Sequence, residues 1–457
     1  MSTTRVLERP LQVEQTANPY LQGNFAPVDV ETTAFDLPVQ GEIPEELTGR
    51  LLRIGPNPIS VSDPAHYHWF MGTGMAHGVR MRGGKAEWYR SRYIVGDEVA
   101  AAQGRPPLPG PRHGFGDGSP NTHIIDIAGR TFAIVEAGGL PVELTFGLES
   151  VARSNFGGSL KRGFAAHPKA DAVTGQLHVL TYEPGEEALS YLVVEKDGLA
   201  RRVADIPVPG FPMVHDVAFT ATSLIILDLP VTFDMSLVGH GFPFAWNPER
   251  TPRVGLLPRD GDLLRLQWIE APSCYVFHVM NAFDDGDTVV VDVVRHPRMF
   301  DTEMRGPAEG DAILARWTID RVSGRLKETL LSERGCEFPR LNDAFGGQAY
   351  RFGYTAAVDE MKRYGPAYKH DVIAARTEIH DYGAGRMTLE PLFVPRAGAA
   401  AEDDGWIMSY VYDAGRDASD VVILDAQQFT EAPVATIQLP VRVPFGFHGS
   451  WVADPAG

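Results

Sequence analysis

The sequence predicts an all-β protein, and three observations support that class. Short runs rich in Val, Ile, Tyr and Phe recur along the chain, and they end at Gly or Asp turns. The 47 glycines and 35 prolines, 82 of 457 residues, are spread throughout the chain. Helical periodicity is confined to brief candidates such as Asp359 to Tyr364. Evenly spaced hairpins over this length indicate a pair of sandwiches, a barrel or a propeller.

Five stretches carry the strand–turn–strand pattern. Each is interpreted as a strand, a turn and a second strand, with runs rich in Val, Ile, Tyr and Phe and a break that carries Gly or Asp. In chain order they are HIIDIAGRTFAIVEAGG, GQLHVLTYEPGEEALSYLVVEKDG, FDDGDTVVVDVV, DRVSGRLKETLL and GWIMSYVYDAGRDASDVVILDAQ.

Composition narrows the class of protein. A net charge of −18 argues against nucleic acid or an anionic membrane surface as the main partner. Two cysteines, Cys274 and Cys336, are too few for a disulfide framework and fit a reducing compartment. The N-terminal segment lacks the apolar core of a signal peptide, and no apolar run reaches the ~18 residues of a membrane span. We therefore expect a soluble, cytoplasmic protein.

Four of the fourteen histidines share one context, at the start or end of a predicted strand after an apolar or aromatic residue. They are His167 in FAAHPKAD, His215 in FPMVHDVAFT, His278 in YVFHVMNAF and His448 in PFGFHGSW, with gaps of 48, 63 and 170 residues. In a seven-bladed propeller of this length a blade takes roughly 65 residues, so these gaps equal about one, one and nearly three blades. Equivalent inner-strand positions converge on a propeller axis, where four imidazoles would make a metal site.

The chemistry of such a site can be narrowed further. Four neutral imidazoles suit iron, copper, nickel or zinc. None of the fourteen histidines has an acid two residues later, which weakens a site of two histidines and one carboxylate. A lone buried histidine is more often structural, and His178 in QLHVLTY is interpreted in that way. His66 and His68 lie in a Pro-rich loop, where a polar surface role is equally compatible.

Nine stretches, in order, resemble carotenoid cleavage oxygenases over nearly the full length of the chain. They are NPYLQGNFAPV, GEIPEELTGRLLRIGPNP, YHWFMGTGMAHGVRMRGGKAEWYRSRY, AHPKADAVTG, MVHDVAFT, FHVMNAF, EFPRLN, EDDGWIMSYVYD and RVPFGFHGSW. The resemblance implies one domain over residues 1–457. It implies a seven-bladed β-propeller capped by loops and short helices, with ferrous iron, Fe(2+), on its axis.

The resemblance also assigns roles to particular residues. The iron ligands correspond to His167, His215, His278 and His448. Glutamates that hydrogen-bond to ligand imidazoles correspond to Glu136, Glu337 and Glu402, where a carboxylate sets the tautomer and turns the ring toward the metal. Thr122 matches a threonine that approaches the open iron position in some members.

The implied reaction is oxidative cleavage of a carbon–carbon double bond of a carotenoid or apocarotenoid by O2, giving two carbonyl products. It needs a hydrophobic polyene and dioxygen, and no organic cofactor. Stilbene-cleaving relatives are the alternative, but they tend to carry a lysine before the first glutamate, where this chain has Val135 in the expected substrate tunnel. A non-catalytic propeller that binds partners at its rim is the alternative of another class, and the retained histidines and glutamates argue against it.

The chain departs from the family pattern at two places, and one apolar stretch is a candidate membrane contact. Met71 and Thr73 stand where the family commonly has aspartates, and Asp284 stands where a glutamate is common, so altered loop packing is expected without loss of metal. The apolar, Gly-broken stretch from Leu229 to Trp246 is a candidate for peripheral membrane contact. A buried loop under the cap explains this stretch equally well.

Overall fold

The computed structural model describes residues 5–6, 18–114, 118–359 and 364–455. Within these ranges almost all regular structure is β-strand, and the single α-helix, Asp97–Ala102, has six residues. The all-β prediction is confirmed. The brief helical candidate at Asp359 to Tyr364 lies mostly outside the described residues, and Tyr364 itself begins a strand. No helix in the described ranges is long and apolar enough to cross a membrane.

The first half of the chain forms three four-stranded antiparallel sheets in sequence order. Their strands are His123–Ile127, Arg130–Ile134, Val142–Leu144 and Ser150–Arg153; Lys169–Ala170, Leu177–Tyr182, Ala188–Val194 and Ala200–Pro207; and Val217–Phe219, Ser223–Asp228, Arg253–Pro258 and Gln267–Glu270. A separate two-stranded hairpin, Val231–Phe233 with Phe244–Trp246, interrupts the third sheet. Arg5–Val6 pairs with Val30–Glu31.

The second half forms one long sheet and one six-stranded sheet, and strands from both chain ends complete the set. The long sheet contains Tyr275–Asp285, Thr288–His296, Ile313–Asp320, Arg325–Leu341, Phe352–Val358, Tyr364–Asp371 and Arg376–His380. The six-stranded sheet contains Arg386–Thr388, Gly405–Asp413, Ala418–Asp425, Ala435–Gln438 and Val39–Gly41, with Leu392–Pro395 also paired to Gly405–Asp413. The last sheet contains Thr33–Phe35, Lys85–Tyr93, Gly74–Arg82, Gly49–Pro56 and Gly449–Ala453.

Short 3₁₀ turns join these strands. They are Pro19–Leu21, Gly23–Phe25, Trp69–Met71, Phe156–Gly158, Met235–Leu237, Leu263–Arg265, Asp343–Phe345 and Ala426–Gln428. Several begin at an Asn or Asp whose side chain accepts a hydrogen bond from the second residue of the turn, for example Asp234 from Ser236. Turns of this kind reverse the chain without extending into helices.

Two pairings tie the ends of the chain together. Gly449–Ala453 pairs antiparallel with Gly49–Pro56, and Ala435–Gln438 pairs with Val39–Gly41. The two strands of the first pair lie so close together that a Cβ on Gly449 would be 2.1 Å from the Leu52 carbonyl oxygen. The apolar side chains between neighbouring sheets form the core, and all eight residues of Gly49–Pro56 are buried. This closure positions the C-terminal histidine segment.

The two departures from the family pattern lie in local turn and loop contacts. The Thr73 hydroxyl donates to the Asn57 carbonyl over 2.8 Å and accepts from the Ile59 N–H. These two hydrogen bonds fix the loop that contains Asn57 and Ile59. Met71 is 59% exposed. Asp284, near the end of the strand Tyr275–Asp285, accepts hydrogen bonds from Thr222 and Arg321. These three side chains are engaged in loop contacts or face solvent.

Candidate metal centre

The four histidines meet at one point, although they come from four different sheets. His167, His215 and His448 each lie just before an edge strand, and His278 lies within one. One ring nitrogen from each lies within 4.8 Å of the corresponding nitrogen of every other. These residues could therefore hold a single metal ion.

Glycines allow His448 to reach this point. The segment before it runs against Gly49–Pro56, where a Cβ on Gly55 would lie 2.3 Å from the Gly446 Cα. The Phe447 N–H donates to the Ile54 carbonyl, and the His448 carbonyl accepts from the Ile54 N–H. Only glycine permits such close backbone approach, which explains why an imidazole follows this Gly- and aromatic-rich stretch.

Hydrogen bonds fix the tautomers of three of the rings. A carboxylate of Glu136 contacts Nδ1 of His215, Glu337 Oε2 lies 2.5 Å from Nδ1 of His278, and a third carboxylate lies 2.8 Å from Nδ1 of His448. Because an ionised carboxylate only accepts, each Nδ1 carries the proton. Each Nε2 therefore presents a lone pair.

Those lone pairs face one another. The Nε2 atoms of His167 and His215 are 3.0 Å apart, and those of His278 and His448 are 3.1 Å apart. In the second pair neither nitrogen has a proton to donate, so the contact is repulsive unless a cation lies between them. Metal–nitrogen bonds in proteins are ~2.0–2.1 Å long, so two nitrogens at these separations could both bind one ion. The donor set fits a first-row divalent metal.

Burial favours the neutral form of two of these imidazoles, and a carboxylate changes the balance at a third. Burial and the neighbouring imidazoles hold the pKa of His167 well below its usual value, and burial lowers the pKa of His448 to about 4. His215 differs: burial would lower its pKa, but the Glu136 carboxylate outweighs burial and raises it. Burial also opposes ionisation of Glu337, yet the His278 ring beside it lowers the pKa of that carboxyl. The carboxylates are therefore charged and the Nδ1 protons are held.

The carboxylate against His448 is Glu390, and the prediction of Glu402 is wrong. Glu390 Oε1 lies 2.8 Å from His448 Nδ1, and its Oε2 accepts the Gly449 N–H, also over 2.8 Å. Glu402 instead accepts the backbone N–H groups of Arg351 and Phe352. It therefore caps the neighbouring strand. The predictions of carboxylate contacts for Glu136 and Glu337 agree with the geometry.

An apolar cavity of about 180 Å³ opens beside the four imidazoles, and both Thr122 and Val135 line it. The Thr122 carbonyl accepts the His448 N–H over 3.0 Å, and its hydroxyl donates to the Asn121 side chain. Three of the histidines reach the cavity wall, namely His215, His278 and His448. Aromatic rings form most of the remainder: Trp69, Phe70, Phe242, Phe244, Phe277, Phe338, Tyr364 and Phe447. The cavity suits a flat, hydrophobic substrate.

The comparisons with known proteins agree with this geometry. A family model described as retinal pigment epithelial membrane protein matches residues 25–453. A carotenoid cleavage oxygenase of Mycobacterium tuberculosis is 41% identical over an alignment that covers 96% of this chain and 98% of that protein. The chain belongs to the carotenoid cleavage oxygenase family. Membership, expected from the nine stretches, is confirmed.

Solved structures of this family show the same fold. A Pseudomonas brassicacearum lignostilbene dioxygenase matches with a TM-score of 0.86 at 27% identity, covering 96% of this chain and 99% of that one. A mutant of the Synechocystis apocarotenoid oxygenase matches with a TM-score of 0.83 at 26% identity, covering 93% of this chain and 96% of that one. Carotenoid and stilbene oxygenases are thus both structural neighbours.

Sequence reasoning missed several residues that hold this family site. Asp216, next to His215, accepts from the Val279 N–H over 2.8 Å and pairs with Lys169, so it links three ligand-bearing segments. His296 Nε2 lies 2.8 Å from Glu337 Oε1, and the Tyr182 hydroxyl donates to Glu136 over 2.6 Å. Asp216 could have been found from the sequence, because it directly follows a candidate ligand. His296 and Tyr182 have no comparable signal in their local sequence.

The other histidines singled out from the sequence lie outside this cluster. His178 is buried, and its Nδ1 lies 2.8 Å from the Tyr191 hydroxyl, as expected for a structural histidine. His66 is at the surface beside Asp63. His68 is buried, with its ring stacked 4.5 Å from Phe242, so a surface role for it is wrong.

Proposed function

We propose that this protein is a non-heme iron(II) dioxygenase that cleaves a carbon–carbon double bond of a carotenoid or apocarotenoid. One observation carries the proposal: four histidine nitrogens within 4.8 Å of one another adjoin an apolar, aromatic cavity. His167, His215, His278 and His448 would hold the metal. Bound ferrous iron would supply the activation of dioxygen. A partner-binding propeller without a reaction would need neither the cluster nor the cavity.

The reaction is balanced without another reductant. The substrate C=C bond and the O–O bond break, two C=O bonds form, and the conjugated substrate supplies the electrons. The protein therefore needs no general acid or nucleophile. Its side chains exclude water, align the polyene beside the histidines and hold three of the imidazoles through Nδ1–H hydrogen bonds to carboxylates.

We propose that the strands form seven blades of one domain spanning residues 1–457. The long strand Arg325–Leu341 pairs with Ile313–Asp320 through its first half and with Phe352–Val358 through its second. Dividing the seven-stranded sheet at this strand leaves seven antiparallel groups of at least four strands in the described ranges. The four edge strands that contain or directly follow the histidines would then surround the axis, with the 3₁₀ turns and the small hairpin as a cap.

The substrate is expected to be a polyene, because Val135 lines the cavity beside Glu136. A phenolic substrate would lose the charge-assisted hydrogen bond that a lysine supplies at this position in stilbene-cleaving relatives. Such a bond is commonly worth ~1.5–3 kcal/mol, or roughly ten- to a hundredfold in kcat/KM. Stilbene cleavage remains the alternative, since lignostilbene dioxygenase is a structural neighbour.

The purified enzyme is expected to show a higher kcat/KM for an apocarotenal than for resveratrol when both are measured by product formation. Val135→Lys should reduce cleavage of the polyene more than cleavage of resveratrol, because it places a charge against an apolar chain. Val135→Leu is the matched control and should keep the preference. A kcat/KM for resveratrol ten times that for the apocarotenal would reject the carotenoid assignment.

Cytoplasmic placement with peripheral membrane contact is our proposal for its location. The hairpin Val231–Phe233 and Phe244–Trp246 lies within the stretch from Leu229 to Trp246, and it contributes Phe244 to the cavity wall. Between its strands Met235 is 72% exposed and Val238 is 49% exposed. An apolar tip joined to the cavity wall suits a protein that collects a substrate from lipid.

Flotation with liposomes is expected for the wild-type protein and is expected to be lost in Met235→Glu/Val238→Glu. The two charges would make insertion of the tip unfavourable. Val173 is 77% exposed and Ile373 is 71% exposed in turns of other sheets. Val173→Glu/Ile373→Glu is therefore the matched control and should still float. Equal flotation of the tip variant and the wild type would exclude this hairpin as the contact.

A further inference from the structure

A second cavity, of about 370 Å³, also reaches the histidine cluster, and charged side chains line it among apolar ones; we call it the polar cavity. His278 and His448 line both cavities, whereas His167 lines only the polar one and His215 only the apolar one. The nitrogen cluster therefore separates a cavity lined mainly by aromatic rings from one that contains several charged groups. One suits a hydrocarbon, and the other suits a hydrated ion.

Acidic side chains lie at both ends of the polar cavity, two exposed to solvent and two next to the histidines. Asp126 and Asp343 are exposed, and the Asp343 side chain is 69% accessible. The side chains of Asp216 and Glu390 are almost inaccessible; Asp216 follows His215 in the chain, and Glu390 contacts His448. The cavity has four carboxylates against two cationic side chains, so it attracts cations.

The two buried carboxylates are already neutralised. Lys169 lies 2.9 Å from Asp216, and Arg340 lies 3.3 Å from Glu390. A cation drawn in by the exposed acids therefore meets no unpaired carboxylate beside the imidazoles. The neutral nitrogens are the strongest remaining ligands at the inner end.

We propose that this polar cavity is the passage through which a hydrated divalent metal ion reaches the four histidines. The inference rests on the proposed function, because it assumes that the four histidines bind a metal. A divalent ion sheds its water unfavourably in an apolar environment. The apolar cavity offers aromatic rings, and its carboxylates Glu136 and Glu337 are occupied by imidazoles. Metal and substrate therefore enter from different sides.

Blocking the passage should slow metal movement in both directions without changing affinity. Ala170 is exposed and lines the polar cavity, so Ala170→Trp would narrow its outer end. The full-length protein, stripped of metal with a chelator, is mixed with Co²⁺, and uptake is followed by visible absorption. Release is then started with excess chelator. We expect at least a tenfold fall in both the uptake and the release rate and an unchanged Kd. Narrowing the passage raises the kinetic barrier in both directions equally and leaves the bound state as it was.

Val135→Phe is the matched control, since it narrows the apolar cavity instead. It should leave the uptake and release rates of Co²⁺ unchanged. The inference is overturned if Val135→Phe slows loading while Ala170→Trp loads and releases at wild-type rates. It is also overturned if Ala170→Trp changes Kd at an unchanged uptake rate. A wild-type protein that never binds Co²⁺ or Fe²⁺ would instead overturn the proposed function.

A charge change provides an independent test that does not alter the width of the passage. Asp343→Lys should lower the Co²⁺ uptake rate severalfold at low ionic strength, and added salt should reduce the difference. Glu431→Lys makes the same change in net charge at an exposed position that does not line the polar cavity, and it should load like the wild type. Equal uptake rates for the two variants at low salt would contradict the inference.

Discussion

His448→Ala is expected to lose the metal and essentially all turnover while the protein remains folded. The variant removes one of the four nitrogens and leaves the Glu390 carboxylate without the imidazole that it orients. The fold should survive, because the strand Gly449–Ala453 is held by backbone pairing with Gly49–Pro56. Metal content by elemental analysis, circular dichroism and product formation would be measured on the same preparation.

His380→Ala is the control for the removal of a buried imidazole. His380 is 5% exposed against 4% for His448, and its Nδ1 hydrogen-bonds to the Phe429 carbonyl away from the cluster. We expect His380→Ala to keep its metal and its turnover, with some loss of stability. Full metal content and turnover in His448→Ala would show that the ligand set is wrong.

Glu390→Gln is expected to weaken metal binding by ~10–100-fold, the usual cost of losing a partner that orients a ligand. The carboxylate accepts from His448 through Oε1 and from the Gly449 N–H through Oε2. An amide can accept at only one of these positions, and its NH₂ group would face a donor at the other. The His448 ring would lose its fixed orientation. Competition with a chelator of known affinity would measure the Kd.

Glu402→Gln provides a matched substitution outside the cluster and should bind metal like the wild type. Among the described residues, the Glu402 carboxylate accepts only from the backbone of Arg351 and Phe352, so an amide there would disturb the start of a strand and no histidine of the cluster. Equal and large losses of affinity in the two variants would indicate a general effect of neutralising a carboxylate. Loss confined to Glu402→Gln would restore the prediction made from the sequence.

Local sequence patterns were sufficient for the strands and for the four histidines. The apolar runs and Gly/Asp breaks predicted hairpins such as Tyr275–Asp285 with Thr288–His296, because side-chain alternation and turn chemistry are properties of a few consecutive residues. His167, His215, His278 and His448 were identified by their shared contexts and by the resemblance. The resemblance also predicted that Val135 and Thr122 lie near the site, and both line the apolar cavity.

Tertiary structure alone distinguished Glu390 from Glu402. Both acids lie near strands of the same sheet, and the acidic run around Glu402 matched a family motif more visibly than the isolated Glu390 in TLEPLF. The pairing of the chain ends decides which glutamate contacts His448. It brings His448 beside the segment between Arg386–Thr388 and Leu392–Pro395, which contains Glu390. Glu390 and His448 are 58 residues apart. A hydrogen bond over such a separation depends on the packing of whole sheets, and no local pattern of residues encodes it.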